Sequence, residues 1–133
     1  MLENRQWWGR EGATQAQLDA LRAVVPADLP AAYFQFLAWS HGGEGPLPDE
    51  PLWFVLDTVV DVIGAVHARS FEEAFPGLLV FASNGGGEAI AFDTRKGAPY
   101  PIVYFEMGNG NLEESVRPLA NSFDELLTLL GRL

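Results

Sequence analysis

The sequence predicts an α+β fold: a single domain with an antiparallel sheet of about four to six strands, helices at both chain ends and one helix between. Three observations carry this. Apolar residues recur at spacings of three and four near both termini and over residues 59–69, which is the helical period. Between residues 78 and 106, short apolar runs are separated by turns containing glycine or proline, as in successive hairpins. No repeat and no long polar linker divides the 133 residues, a length that suits one domain. Residues 1–13 read as an N-terminal extension and 14–133 as the domain.

The first helix opens at Thr14, which forms a capping box with Gln17. Leu18, Leu21 and Val25 make its apolar face, and Val25-Pro26 ends it, because the residue before proline avoids the helical region. Asp28-Leu29-Pro30 opens the second helix, with Pro30 in the first turn, where a missing N–H costs nothing. Tyr33, Phe34, Phe36 and Leu37 follow, and Ser40-His41-Gly42-Gly43 stops it. Gly45 to Pro51 reads as a loop stiffened by its prolines. Leu52 to Leu56 reads as a strand whose lack of polar alternation implies cover on both faces or a central position.

Asp57-Thr58 caps a third helix over Val59 to Arg69, with Val59, Val60, Ile63, Val66 and His67 as its stripe. Ser70-Phe71-Glu72-Glu73 offers another capping box, before a turn at Pro76-Gly77. Leu78 to Ala82 and Glu88 to Asp93 form a hairpin across Ser83–Gly87. A turn over Thr94 to Pro99 leads to a third strand, Ile102 to Glu106, followed by the glycine-asparagine loop Met107 to Asn111. Val116 to Leu119 is a short edge strand, since Pro118 cannot donate to a ladder. Ser122 and Glu125 cap a final helix carrying Phe123, Leu126, Leu127 and Leu130, and Gly131 ends it.

Composition excludes several functions. Eight Lys and Arg against eighteen Asp and Glu give a formal net charge of −10, and Lys96 is the sole lysine. Nucleic acid is therefore not an expected partner, because phosphate contacts need clustered cations. The absence of cysteine removes disulfides, thiolate metal sites and thiol nucleophiles. No run approaches the roughly 18 apolar residues of a membrane helix, and Met1 to Trp8 holds no apolar signal core. The expected location is the cytoplasm, with no membrane partner.

Few residue groups suggest chemistry. Gly85-Gly86-Gly87 could cradle a phosphate on backbone amides. The turn has no cation, however, and Glu88 follows it directly, so it reads as a structural turn. His41 and His67 are the two histidines, and no HExxH, GxSxG or paired-histidine spacing surrounds them. No catalytic residue, metal or cofactor is expected. Glu88 and Asp93 fall on opposite faces of one strand, because their separation is odd. Trp7 and Trp8 stand in a polar segment. They either pack back on the domain or anchor a partner, as tryptophan often does at interfaces.

Two blocks and the closing helix carry a resemblance. Leu29-Pro30-x-x-Tyr33-x-x-Phe36-Leu37-x-Trp39-Ser40-His41-Gly42-Gly43-Glu44-Gly45 resembles the opening signature of the SUKH superfamily, the Smi/Knr-type domain. Phe75 to Asp93 is similar to its second block: a strand, a glycine-rich turn, an acid (here Glu88) and a strand ending in aspartate (here Asp93). Ser122 to Leu127 resembles its closing helix. His41 stands where the family more often has asparagine, so Gly42 is expected to take the left-handed conformation. The resemblance implies structural roles for Pro30, Trp39, Gly42, Gly43, Gly85, Gly86, Gly87, Glu88 and Asp93. It also implies a SUKH-like domain without known catalytic activity. Many bacterial members are immunity proteins that bind and block a toxin domain, often a nuclease; fungal members are scaffold regulators of cell-wall synthesis.

Charge placement then indicates a surface. Residues 46–75 hold Asp49, Glu50, Asp57, Asp61, Glu72 and Glu73 against the one base Arg69. A concentrated negative field speeds capture of a basic partner. With neighbouring Glu44, these acids form the candidate partner-binding surface, and the expected partner is a protein, a basic toxin domain. A regulatory or scaffold module that binds an endogenous protein is the alternative reading, and a small hydrolase is a third.

Overall fold

Six strands hydrogen-bond in chain order into one antiparallel sheet. They are β1 (Glu44–Pro46), β2 (Trp53–Leu56), β3 (Leu78–Ser83), β4 (Glu88–Asp93), β5 (Ile102–Glu106) and β6 (Arg117–Ala120), so β1 and β6 are the edges. The helices described are α1 (Gln15–Arg22), α2 (Ala31–Trp39), α3 (Val59–Ala68) and α4 (Phe123–Leu129). This computed structural model describes residues 1–72, 75–108 and 115–133. The architecture is the expected α+β one, with helices at both chain ends and one between.

Local signals set the helix starts. The Thr14 hydroxyl accepts from the Gln17 amide at 3.1 Å, and Gln17 Oε1 accepts from the Thr14 amide at 2.8 Å. Thr58 caps α3 by accepting from the Asp61 amide, and Ser122 caps α4 by accepting from the Glu125 amide. Several boundaries differ from expectation. Helix α1 closes at Arg22, three residues before Val25, and Pro30 sits at the N-cap of α2 rather than inside its first turn. The 70–73 capping box lies partly outside the described residues, as does the 107–111 loop.

Two readings of apolar runs are corrected. The 45–51 loop contains most of a strand, β1, because an edge strand tolerates Pro46 on its unpaired side. Gly45 is required there, since a Cβ would stand 2.5 Å from the Gln6 carbonyl oxygen. Strand β2 does alternate: Phe54 and Leu56 are buried, whereas Trp53 and Val55 are half-buried on the opposite face. Every residue of the run is apolar, which hid that period. On α3, Val59 and Val62 are buried, but Val60 is 72% exposed and does not belong to the packed stripe.

The four helices cover one face of the sheet. Phe54, Leu56, Phe81, Ile90, Phe92 and Ile102 point into that layer. Its centre is a block of rings. Tyr33 of α2 meets Phe81, Phe92 and Phe123 edge-on with centroids 5.5, 5.2 and 5.7 Å away. Phe81 and Phe92 stack across the β3–β4 pair at 4.3 Å. Trp7 also joins this layer, with its ring 5.3 Å from Phe36 and 6.1 Å from Phe54. A smaller cluster covers part of the opposite face, where Phe75 and Phe71 lie over Leu78, Val80, Ala89, Ala91, Val103 and Phe105.

Two buried hydroxyls in this layer behave in opposite ways. Ser40 Oγ, at the end of α2, accepts from the Arg10 amide at 3.1 Å and from Trp7 Nε1 at 3.3 Å. It donates to the Gly42 carbonyl at 2.6 Å. Tyr33 Oη is fully buried and finds no hydrogen-bond partner among the described residues. Removing one member of a buried network strands the others, whereas removing an unpaired hydroxyl removes only a desolvation cost. Ser40→Ala is therefore expected to cost about 2 kcal/mol of unfolding free energy, and Tyr33→Phe to be neutral or stabilising by about 1 kcal/mol. Urea denaturation of the two variants checks this; a Tyr33→Phe loss equal to that of Ser40→Ala would contradict it.

Candidate functional site

The glycine turn between β3 and β4 satisfies three of its amides from its own side chains. Asn84 Oδ1 accepts from the Gly86 and Glu88 amides at 2.9 and 3.1 Å, and Ser83 Oγ accepts from the Gly85 amide at 3.1 Å. Donors that a phosphate would need are thus already engaged inside the turn. Gly85 is left-handed, with φ +77°, while a Cβ on Gly87 would meet nothing within 4 Å. Glu88 accepts from Asn84 Nδ2 at 3.1 Å, which ties the acid to the same turn.

Asp93 closes the other end of β4. Its carboxylate accepts from the Arg95 amide, Nε and Nη2 at 3.1, 2.9 and 2.8 Å. These hydrogen bonds hold its carboxyl below the ordinary range. A carboxylate so engaged shapes the β4–β5 turn and is a poor proton acceptor. Histidine is similarly occupied, since His41 Nε2 accepts from the Val59 amide at 2.9 Å, inside the first turn of α3. His67 is exposed near the end of α3. Among the described residues, no group of three or more acids and histidines is arranged to hold a metal ion.

The candidate acids fall into three places. Glu44 lies on the edge strand β1, exposed, and accepts from Trp53 Nε1 at 3.1 Å. Asp49 and Glu50 are exposed on the segment joining β1 to β2, where Glu50 and Glu88 both bear on Tyr104 and raise its phenol, after burial. Asp57 and Asp61 flank the start of α3, the first half-buried and the second exposed. Glu72 is exposed beyond α3, and Glu73 lies outside the described residues. Asp57 differs from the rest. Burial, and behind it the Asp61 charge, pushes its carboxyl up to about 6. The Asp57 charge in turn adds to the burial that raises the Tyr33 phenol.

With this geometry in place, comparison is informative. The family model described as the SMI1 / KNR4 family (SUKH-1) matches residues 12–129, from just before α1 through the last residue of α4. The chain belongs to that family. No curated protein matches the chain in sequence. No helix among the described residues is long and apolar enough to cross a membrane.

The residues that carry the SMI1 / KNR4 resemblance hold the helix layer and its turns. Trp39 is half-buried and stacks on Phe36 at 5.9 Å. Gly42 is left-handed, with φ +100°, as expected from the histidine before it, and Gly43 matches it at +105°. A Cβ on Gly43 would lie 2.8 Å from the Trp8 carbonyl oxygen, so that glycine lets the N-terminal segment run against β1.

That segment adds the feature the sequence left open. Trp8 pairs with Glu44 through two backbone hydrogen bonds of 2.8 and 3.0 Å and extends the β1 edge by one residue. The two tryptophans therefore separate: Trp7 enters the core, and Trp8 stays 58% exposed with its ring 5.9 Å from Trp53. Trp53 was not a candidate from the sequence. Its signal was the period-two alternation of Trp53 and Val55 against Phe54 and Leu56.

The raised Asp57 carboxyl gives a prediction. The folded chain holds that proton more tightly than the unfolded chain, whose value is the ordinary 3.8. The charge therefore costs stability above pH about 6, and the cost disappears below pH about 4. Asp57→Asn is expected to raise Tm by roughly 5 °C at pH 7.5 and by nothing measurable at pH 3.5, by thermal denaturation at both values. A gain that is equal at the two pH values would contradict this origin.

Proposed function

We propose that this domain is a non-enzymatic protein-binding module of the immunity type, which neutralises a bacterial toxin by stoichiometric binding. The observation that carries the reading is the match to the SMI1 / KNR4 family (SUKH-1) over residues 12–129. The turns support it. Several polar groups that might have served phosphate or acid–base chemistry have internal partners: the Gly85 and Gly86 amides, Asp93 and His41. What the surface offers instead is carboxylate, with a net charge of −10.

Acids in this arrangement suit a basic partner. A nuclease domain is basic because its substrate is a polyanion, and carboxylates can occupy the groove that phosphates would fill. The inhibitor then needs no chemistry of its own. It must bind firmly and cover the substrate path.

Co-purification of the tagged chain from its native host, with mass spectrometry of what is retained, tests the reading. The expected result is a basic toxin domain at 1:1 stoichiometry. With that partner, the triple reversal Asp49→Lys, Glu50→Lys and Asp61→Lys is expected to slow association about tenfold at low salt and to flatten its salt dependence. Retention of an endogenous regulatory protein would favour the scaffold reading. Turnover of a substrate by the purified chain would contradict both.

A further inference from the structure

We infer that the β1–β2 half of the sheet face opposite the helices is the seat for a basic segment of the partner, with an arginine guanidinium placed against Trp8 and Trp53 and paired with Glu44. The inference rests on the protein-binding reading above and names the place and chemistry of the contact.

Strand register defines the seat. Trp8, Glu44, Val55, Ser83, Ala89 and Phe105 are successive partners across the sheet, so their side chains project from one face. Cover on that row stops half-way. Phe105 is buried beneath Phe75, stacked at 4.0 Å, and beneath Phe71, edge-on at 5.9 Å, and Ala89 is buried with them. Ser83 and Val55 are half-buried, and Glu44 and Trp8 are exposed. In the adjoining row Pro46 is buried and its partner Trp53 is half-buried, so the open area centres on Trp8, Glu44 and the Trp53 ring.

The bare half has a definite chemistry. The Trp8 and Trp53 rings form a tilted pair 5.9 Å apart with an interplanar angle of 34°, and Trp8 is 58% exposed. Glu44 is held between strand and ring by the hydrogen bond from Trp53 Nε1. A carboxylate has capacity for more than that one donor. Aromatic faces beside a fixed carboxylate suit guanidinium better than ammonium, because the planar cation stacks on rings and pairs through two N–H groups at once. Asp49 and Glu50 stand on the segment that leaves the Pro46–Trp53 row, so the surrounding charge is negative. Arg10, the nearest base in sequence to Trp8, lies against Gly42 instead.

The seat is also preorganised. Trp8 is fixed by its two backbone bonds to Glu44 and by its neighbour Trp7, which is anchored in the core. A surface whose aromatic groups are already ordered loses less entropy on binding. Exposed tryptophan at an ordered edge is the residue type that dominates binding energy at interfaces.

The test uses the whole chain labelled with nitrogen-15, whose four tryptophans give separate indole signals. The probes are N-acetyl, C-amide triarginine and trilysine, with triaspartate as control. Triarginine is expected to move the Trp8 and Trp53 indole signals, leave those of Trp7 and Trp39 in place, and bind about threefold more tightly than trilysine. Trp8→Ala removes an exposed side chain and is expected to abolish the arginine preference; Glu44→Gln is expected to weaken triarginine binding about threefold. If triarginine instead shifts only the amides of Asp49, Glu50 and Asp61, the seat is wrong and the acidic-surface reading stands. Equal binding of triarginine and trilysine overturns the guanidinium assignment. If neither cationic peptide binds more than triaspartate, the seat and the electrostatic part of the proposed function both fall.

Discussion

The ring block around Tyr33 is the constraint on which the rest of the molecule depends. One side chain from α2 meets two strands and α4 at once, through Phe81, Phe92 and Phe123. Rings of this size remove a large apolar area from water and fix the angle between layers, because their edge-on contacts tolerate little sliding. The helices are thereby committed to one face of the sheet. That packing is strong enough to accommodate a buried phenol without a partner and a half-buried Asp57 beside it.

The four described helices pack on one face, and the other face is covered differently. Phe71 and Phe75 cover β3 to β5 there, lying over Phe105. Among the described residues, no aromatic pair of this kind covers β1 and β2, where Glu44 is exposed, Trp53 and Val55 are half-buried and Pro46 is buried. A sheet face that is half dry and half open is a common foundation for recognition: the dry half fixes the backbone, and the open half presents side chains at strand spacing. In this family member the open half has two indoles and a carboxylate. Elsewhere, Asn84, Asp93 and His41 are engaged by turns and by the start of α3. These engagements support the proposed binding role.

Much of this was legible in the sequence. Capping signals at Thr14, Thr58 and Ser122, the glycine turn after β3 and the order of hairpins each depend on contacts within a few residues, so local chemistry predicts them. The misread elements depend on distant partners. Strand β1 exists because β2 pairs with it and because Gln6 passes close enough to require Gly45. Val60 falls outside the packed stripe of α3 because Val59, Val62, Ile63 and Val66 face the layer and Val60 points to solvent. An all-apolar run such as residues 52–56 carries no polar marker of its outward face, so Trp53 was hidden among core residues. Glu44 could be singled out as an acid, but its place beside Trp53 follows only from strand register.

The proposed seat for the partner is the open half of the sheet face and not the helix layer. Hydroxyl-radical footprinting of the complex, with the partner recovered by co-purification, tests that placement directly. Trp8 and Trp53 should lose most of their oxidation on complex formation, while Val60, exposed on α3, should react as in the free chain. Undiminished oxidation of both tryptophans, with protection at Val60 instead, would contradict the account.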